Sequence, residues 1–188
     1  AGAIITALLV YSIARMGAKI PTATLLLTGL AVYFFLSSMT SVIMIFNRTH
    51  VERIVFWIMG SVSAAGWNHA GILFLVIVLG AVAIALFSRD LNIISTGEEP
   101  AKSLGIEVEM VKKILLVVCS VIVAACVSVS GIIGFVGLVI PHIIRLITGS
   151  DHRIVIPFSA VGGAMFMVIC DALARNLVPP AEIPVGVI

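Results

Sequence analysis

Asp171 and Arg175 stand four residues apart inside a long apolar run, a spacing that puts both side chains on one face of a helix. A carboxylate in such a run is costly unless it meets a protein partner or water, so an internal ion pair is its economical use. His142 directly follows Pro141, and its imidazole suits a hydrogen bond to a backbone carbonyl freed by the proline better than a metal ion. Three cysteines, Cys119, Cys126 and Cys170, lie in apolar runs without CxxC spacing and read as small packing residues. The sequence contains no HExxH, GxSxG or paired-Asp arrangement and no Walker A pattern. These residues therefore argue for a non-catalytic chain that binds no cofactor or metal of its own.

The densest chemistry is elsewhere, in the stretch 89–113 that reads RDLNIISTGEEPAKSLGIEVEMVKK. Nine of the chain's 20 charged side chains lie in it, from Arg89 and Asp90 to Lys112 and Lys113. Thr96 can cap a short helix whose first turn carries Glu98 and Glu99, acids that favour the positive end of a helix dipole. Gly105 can end that helix, and a second short helix is expected from Glu107 to Lys113. Two short helices joined at a glycine make a compact knob that a soluble partner could grip.

Everything else must position that knob in lipid. The chain is 61% hydrophobic and 11% charged, with a mean hydropathy of +1.27. Its apolar runs match the ~20 residues needed to cross the hydrocarbon core. They are too long and uniform for barrel strands, so the fold class is all-α, a polytopic membrane helical bundle. Spans are expected at 1–15, at 22–46 opened by Pro21, at 70–88, at 114–130 and at 154–175 with Pro157 in its first turn. The stretch 131–147, with Gly131, Gly134, Gly137 and Pro141, reads as a turn followed by a short bent helix. If segments alternate, Arg15, Lys19, Arg89, Lys102, Lys112, Lys113, Arg145 and Arg153 share one side, against Arg48, Arg53 and Arg175 on the other. By the positive-inside rule the 89–113 loop is cytoplasmic. The outer segment 47–69 places Val51, Ile54, Val55 and Ile58 at helical spacing beside Phe56, Trp57 and Trp67, as in a helix lying at the interface. It reads equally as an ordinary interfacial connection or as the rim of an external vestibule. The chain begins without Met inside an apolar run and stops at Val187-Ile188 as another run opens, so further segments are expected on both sides.

The motif Gly97-Glu98-Glu99-x-Ala101-x-x-Leu104-Gly105 resembles the coupling segment of the FecCD family, the permease subunits of binding-protein-dependent ABC importers. Three further stretches agree in order: Phe56-Trp57-x-Met59-Gly60-Ser61; Gly134-Phe135-x-Gly137-Leu138-x-x-Pro141-His142-x-x-Arg145 followed by Asp151-His152-Arg153; and Asp171-x-x-Ala174-Arg175 followed by Glu182-x-Pro184-x-Gly186. The resemblance runs over about residues 24–188.

It implies a BtuC-like fold, with residues 1–188 forming part of a ten-helix protomer in the cytoplasmic (inner) membrane. The implied cargo is a metal chelate of the iron-siderophore, haem or cobalamin class. The implied partners are a second permease subunit, two ATPase subunits that bind ATP and Mg, a soluble binding protein outside, and lipid, but not nucleic acid. On this resemblance Gly97, Glu98, Glu99, Ala101, Leu104 and Gly105 form the ATPase contact, with Ala101 and Leu104 as apolar anchors and the two glycines fixing the bends. Gly131, Gly134, Gly137 and Pro141 serve gating or close packing, which sequence alone leaves undivided. Arg175 either docks the binding protein or pairs internally with Asp171 or Glu182. The competing reading is an ATPase-independent channel or secondary transporter built on Asp171, Arg175 and His142.

Overall fold

The computed structural model describes residues 2–14, 22–63, 65–177 and 183–188. In chain order it has α1 (Gly2–Ala14), α2 (Thr22–Phe46), a 3-10 turn (Arg48–His50), α3 (Val51–Met59), α4 (Trp67–Leu86) and α5 (Ser88–Ile94). Then come α6 (Glu98–Ser103), α7 (Val108–Ser130), α8 (Val136–Thr148), α9 (His152–Asn176) and a closing 3-10 turn (Val185–Val187). No strand occurs among the described residues. α2, α4, α7 and α9 are each long and apolar enough to cross a membrane, while α1 and α8 are shorter apolar helices.

α7 is the centre of the bundle, packing against both α1 and α4, and α8 and α9 form an adjoining hairpin. Small residues set two of these approaches. A methyl at Gly80 of α4 would run into Ile122 of α7, and one at Gly162 of α9 would lie 3.3 Å from Ile140 Cγ2 of α8. Without water to drive apolar association, such close backbone packing is what holds membrane helices together. Leu26, Leu27, Phe34 and Phe35 of α2 are exposed, as are Phe74 and Leu75 of α4, a surface that suits hydrocarbon. The α2 hydroxyls close on their own helix: Ser38, Thr40 and Ser41 donate to the carbonyls of Phe34, Leu36 and Ser37 at 2.9–3.0 Å. That back-bonding removes three polar groups from an apolar setting.

Several boundaries differ from expectation. α4 starts at Trp67, three residues early. The polar loop opens with an additional helix, α5, which leaves α4 at Phe87. The expected short helix at 107–113 and the span at 114–130 are one continuous helix, α7, because nothing between Val108 and Ser130 breaks it. Pro157 is inside α9 and not in its first turn, because the Asp151 carboxylate accepts the Arg153 amide at 2.9 Å and starts the helix at His152. Thr96 does not cap α6; its hydroxyl donates backwards to the Ile93 carbonyl at 2.7 Å. Pro21, Arg15, Lys19, Pro179, Pro180 and Glu182 lie outside the described residues.

Candidate functional site

The knob is built from backbone geometry first. Gly97 precedes α6 at φ +136° and Gly105 follows it at φ +82°, conformations that L side chains rarely adopt. Beyond α6, Ile106 N–H reaches the Ala101 carbonyl at 3.1 Å and Gly105 N–H reaches the Lys102 carbonyl at 2.9 Å. This is the Schellman pattern, which needs the left-handed residue that Gly105 supplies. Glu98 in the first turn pairs with Lys112 of α7 at 2.6 Å, and Glu99 lies 3.6 Å from Lys102. The first pair ties α6 to α7, so the knob is anchored as well as charged.

Ala101 and Leu104 have opposite fates. Ala101 and Val108 are both buried, whereas Leu104 is 69% exposed. Ala101 therefore packs inside the knob and cannot be a partner's anchor. Leu104 is the apolar side chain left at the tip.

The knob also grips the far end of the chain, through a residue that carried no motif signal. Asn92 of α5 donates through Nδ2 to Asp151 Oδ1 at 2.6 Å. Its Oδ1 accepts the His152 backbone N–H at 2.8 Å and stands 2.7 Å from His152 Nδ1. Arg145 Nη2 of α8 is 3.5 Å from the other ring nitrogen, Nε2. The Arg153 amide, then the Asn92 side chain, hold the Asp151 carboxyl below the ordinary carboxylate range. A polar residue about 60 positions from its partners cannot be found by local pattern.

At the opposite end three glycines form a backbone junction. Gly131 ends α7 at φ +69°, where a Cβ would strike the Trp57 carbonyl oxygen and lie 3.2 Å from Gly60 Cα. A Cβ on Gly60 would strike the Ile132 carbonyl oxygen, and one on Gly186 that of Met59. Hydrogen bonds complete it: Ser61 N–H to the Ser130 carbonyl at 2.8 Å and Gly186 N–H to the Gly60 carbonyl at 3.2 Å. Gly131 was expected to matter; Gly60 and Gly186 stood in the quoted motifs without an assigned role. A Cβ at Gly134 or Gly137 would meet nothing within 4 Å, so neither serves close packing among the described residues. Between them Phe135 holds φ +62°, a strained conformation for an aromatic residue, and leads into α8. Pro141 lies inside α8. His142 is exposed and makes no side-chain hydrogen bond to a freed carbonyl among the described residues, contrary to expectation.

Arg175 Nε donates to Asp171 Oδ2 at 2.9 Å, the internal pair that the spacing allowed. Asp171 Oδ1 is buried with no hydrogen bond among the described residues. The described residues contain no cluster of three or more His, Cys, Asp or Glu side chains able to hold a metal ion.

Among the described residues, four helices long and apolar enough to cross a membrane, with a structured charged loop between α4 and α7, mark a membrane protein of the polytopic helical class. The chain belongs to the FecCD transport family, whose model matches residues 1–188. It is 41% identical over its whole length to the cobalamin import system permease protein BtuC of Halobacterium salinarum, covering 50% of that protein. It is 36% identical to the hemin transport system permease protein HmuU of Yersinia pestis, covering all of this chain and 56% of that protein. Among solved structures it resembles an inward-facing ABC transporter assigned to the metal-chelate type, with a TM-score of 0.87 and 29% identity over 99% of this chain and 58% of that one. The chain thus spans about half the length of the curated relatives it matches.

Proposed function

We propose that this chain is the membrane-spanning part of an ABC importer permease that passes a metal chelate across the cytoplasmic membrane. A separate ATPase subunit supplies the energy and holds the ATP and Mg; this chain contributes no catalytic group. The observation that carries the reading is Leu104, an exposed leucine at the tip of a charged knob whose glycine turns and Glu98–Lys112 pair keep it rigid. A single exposed leucine is ordinary by itself; what supports a partner here is its place at the tip of a fixed charged loop, within the motif that resembles the family's coupling segment. In a family of transport subunits, a soluble ATPase is that partner.

The rest of the assembly follows from the same reading. The knob faces the cytoplasm, a reading supported by the excess of basic residues on its side. A second permease subunit completes the pathway, and a substrate-binding protein delivers cargo at the face carrying α3, the glycine junction and Arg175. The chelate class is supported by relatives named for cobalamin and hemin. Asp171 is paired with Arg175, and His142 has no partner among the described residues, an arrangement that gives the ion-driven reading no relay there. Purifying the full-length protein from its native membrane tests the reading. A stoichiometric ATP-binding subunit is expected to accompany it, and transport by the lone protein under an ion gradient would overturn the proposal.

A further inference from the structure

We propose that Asn92 is a positioning residue that transmits movement of the knob to the α8–α9 hairpin, an inference that rests on the permease reading above. The knob is joined covalently to α4 at Phe87 and to α7 beyond Gly105, and neither connection reaches the α8–α9 hairpin directly. The Asn92 amide supplies that link, because both of its polar ends are committed to the turn that starts α9.

The orientation of that amide is settled by chemistry. The His152 backbone N–H can only donate, so the atom facing it at 2.8 Å is the amide oxygen. The amide nitrogen then faces the Asp151 carboxylate at 2.6 Å, a short charge-assisted bond. The same oxygen lies 2.7 Å from His152 Nδ1, so that nitrogen carries the ring proton. Nε2 is left as an acceptor toward Arg145 in the last turn of α8. One amide thereby gathers α5, the capped start of α9 and the end of α8.

The location gives this contact mechanical meaning. Asp151 is also the N-cap of α9, accepting the Arg153 amide at 2.9 Å. A displacement of α5 therefore pulls on the first turn of a 25-residue helix. Apolar contacts between helices let them slide, whereas hydrogen bonds weaken steeply with misalignment and so transmit direction as well as force. The hairpin moved in this way begins next to the strained Phe135 and the unencumbered Gly134 and Gly137, where the backbone has room to change.

The test uses the full-length permease, assembled with its ATPase in proteoliposomes, with cargo moved per ATP hydrolysed as the readout. Asn92→Ala is expected to assemble and hydrolyse ATP but to lower that ratio about tenfold, the loss expected for one charge-assisted hydrogen bond. Asn92→Asp sets a carboxylate against Asp151 and is expected to do the same. Asn92→Gln keeps an amide oxygen and nitrogen on a stem one methylene longer, leaves the Asp151 cap intact, and is expected to retain more of the ratio than Asn92→Asp. A merely structural residue would change thermal stability without changing the ratio. An unchanged ratio in an assembled Asn92→Ala complex overturns the proposal. Should that variant fail to assemble, an equal ratio in Asn92→Gln and Asn92→Asp overturns it instead. A wild-type protein that engages no ATPase would overturn the permease reading, and the clamp with it.

Discussion

Gly131→Ala adds one methyl group where α7 meets the outer junction, and the structure supplies two costs. At φ +69° an alanine adopts the left-handed conformation, worth about 1–2 kcal/mol for an L residue. Its Cβ would also overlap the Trp57 carbonyl oxygen, which belongs to the backbone and cannot rotate away. Relief requires α3 and α7 to separate, at about 1–3 kcal/mol by analogy with overpacked cores. Together the two predict a loss of about 2–5 kcal/mol. The assay is thermal unfolding of the full-length protein in detergent, in parallel with Gly134→Ala. That control adds a methyl that meets nothing within 4 Å among the described residues and has no positive φ, so it is expected to melt with the wild type. Gly131→Ala melting with the wild type, or Gly134→Ala losing as much, would refute the reasoning.

Other outcomes follow from individual contacts. Glu98→Gln should cost less than about 1 kcal/mol and lose its effect at high salt, because the Lys112 pair is partly exposed; unfolding at two ionic strengths checks this. The Asp151 carboxyl is held low, so its stabilisation of α9 is complete above the ordinary carboxylate range and is lost as pH falls through the depressed value. Protection of the Arg153 amide against hydrogen exchange, taken relative to its intrinsic rate at each pH, should therefore persist from neutral to mildly acidic pH and fall only in stronger acid, while loss of protection already between neutral and mildly acidic pH would contradict the assignment. Arg175→Glu should slow docking of the binding protein at low salt more than at high salt, and should cost some stability through its repulsion from Asp171. Unchanged docking by a destabilised permease would leave Arg175 a structural role only.

Sequence patterning located the spans and the knob because the forces that set them are local. Lipid selects long apolar runs, and a bend at Gly97 or Gly105 needs a residue that tolerates positive φ. The i,i+4 pair of Asp171 and Arg175 was legible for the same reason. Long-range contacts were not. Asn92 is one polar residue in a polar loop until the fold brings Asp151 and His152 to it. Gly60 and Gly186 read as motif letters until α3, α7 and the closing turn converge. Ala101 and Leu104 have the same apolar character in sequence, and only packing makes one internal and the other exposed. Pro157 misled because a proline favours a helix's first turn, while the start of α9 was decided by the Asp151 cap.

The central claim, that the tip of the knob is the ATPase contact, is tested most directly by cross-linking at Leu104. A Leu104→Cys variant of the full-length permease, otherwise free of cysteine, would be assembled with an ATPase carrying single cysteines along its membrane-facing groove. The account predicts a specific cross-link at Leu104→Cys in the intact complex, none at an equivalent cysteine in α3, and uncoupled ATP hydrolysis in the companion Leu104→Asp variant. An intact, transport-competent complex that cross-links nowhere on α6, with Leu104→Asp still coupled, would contradict it.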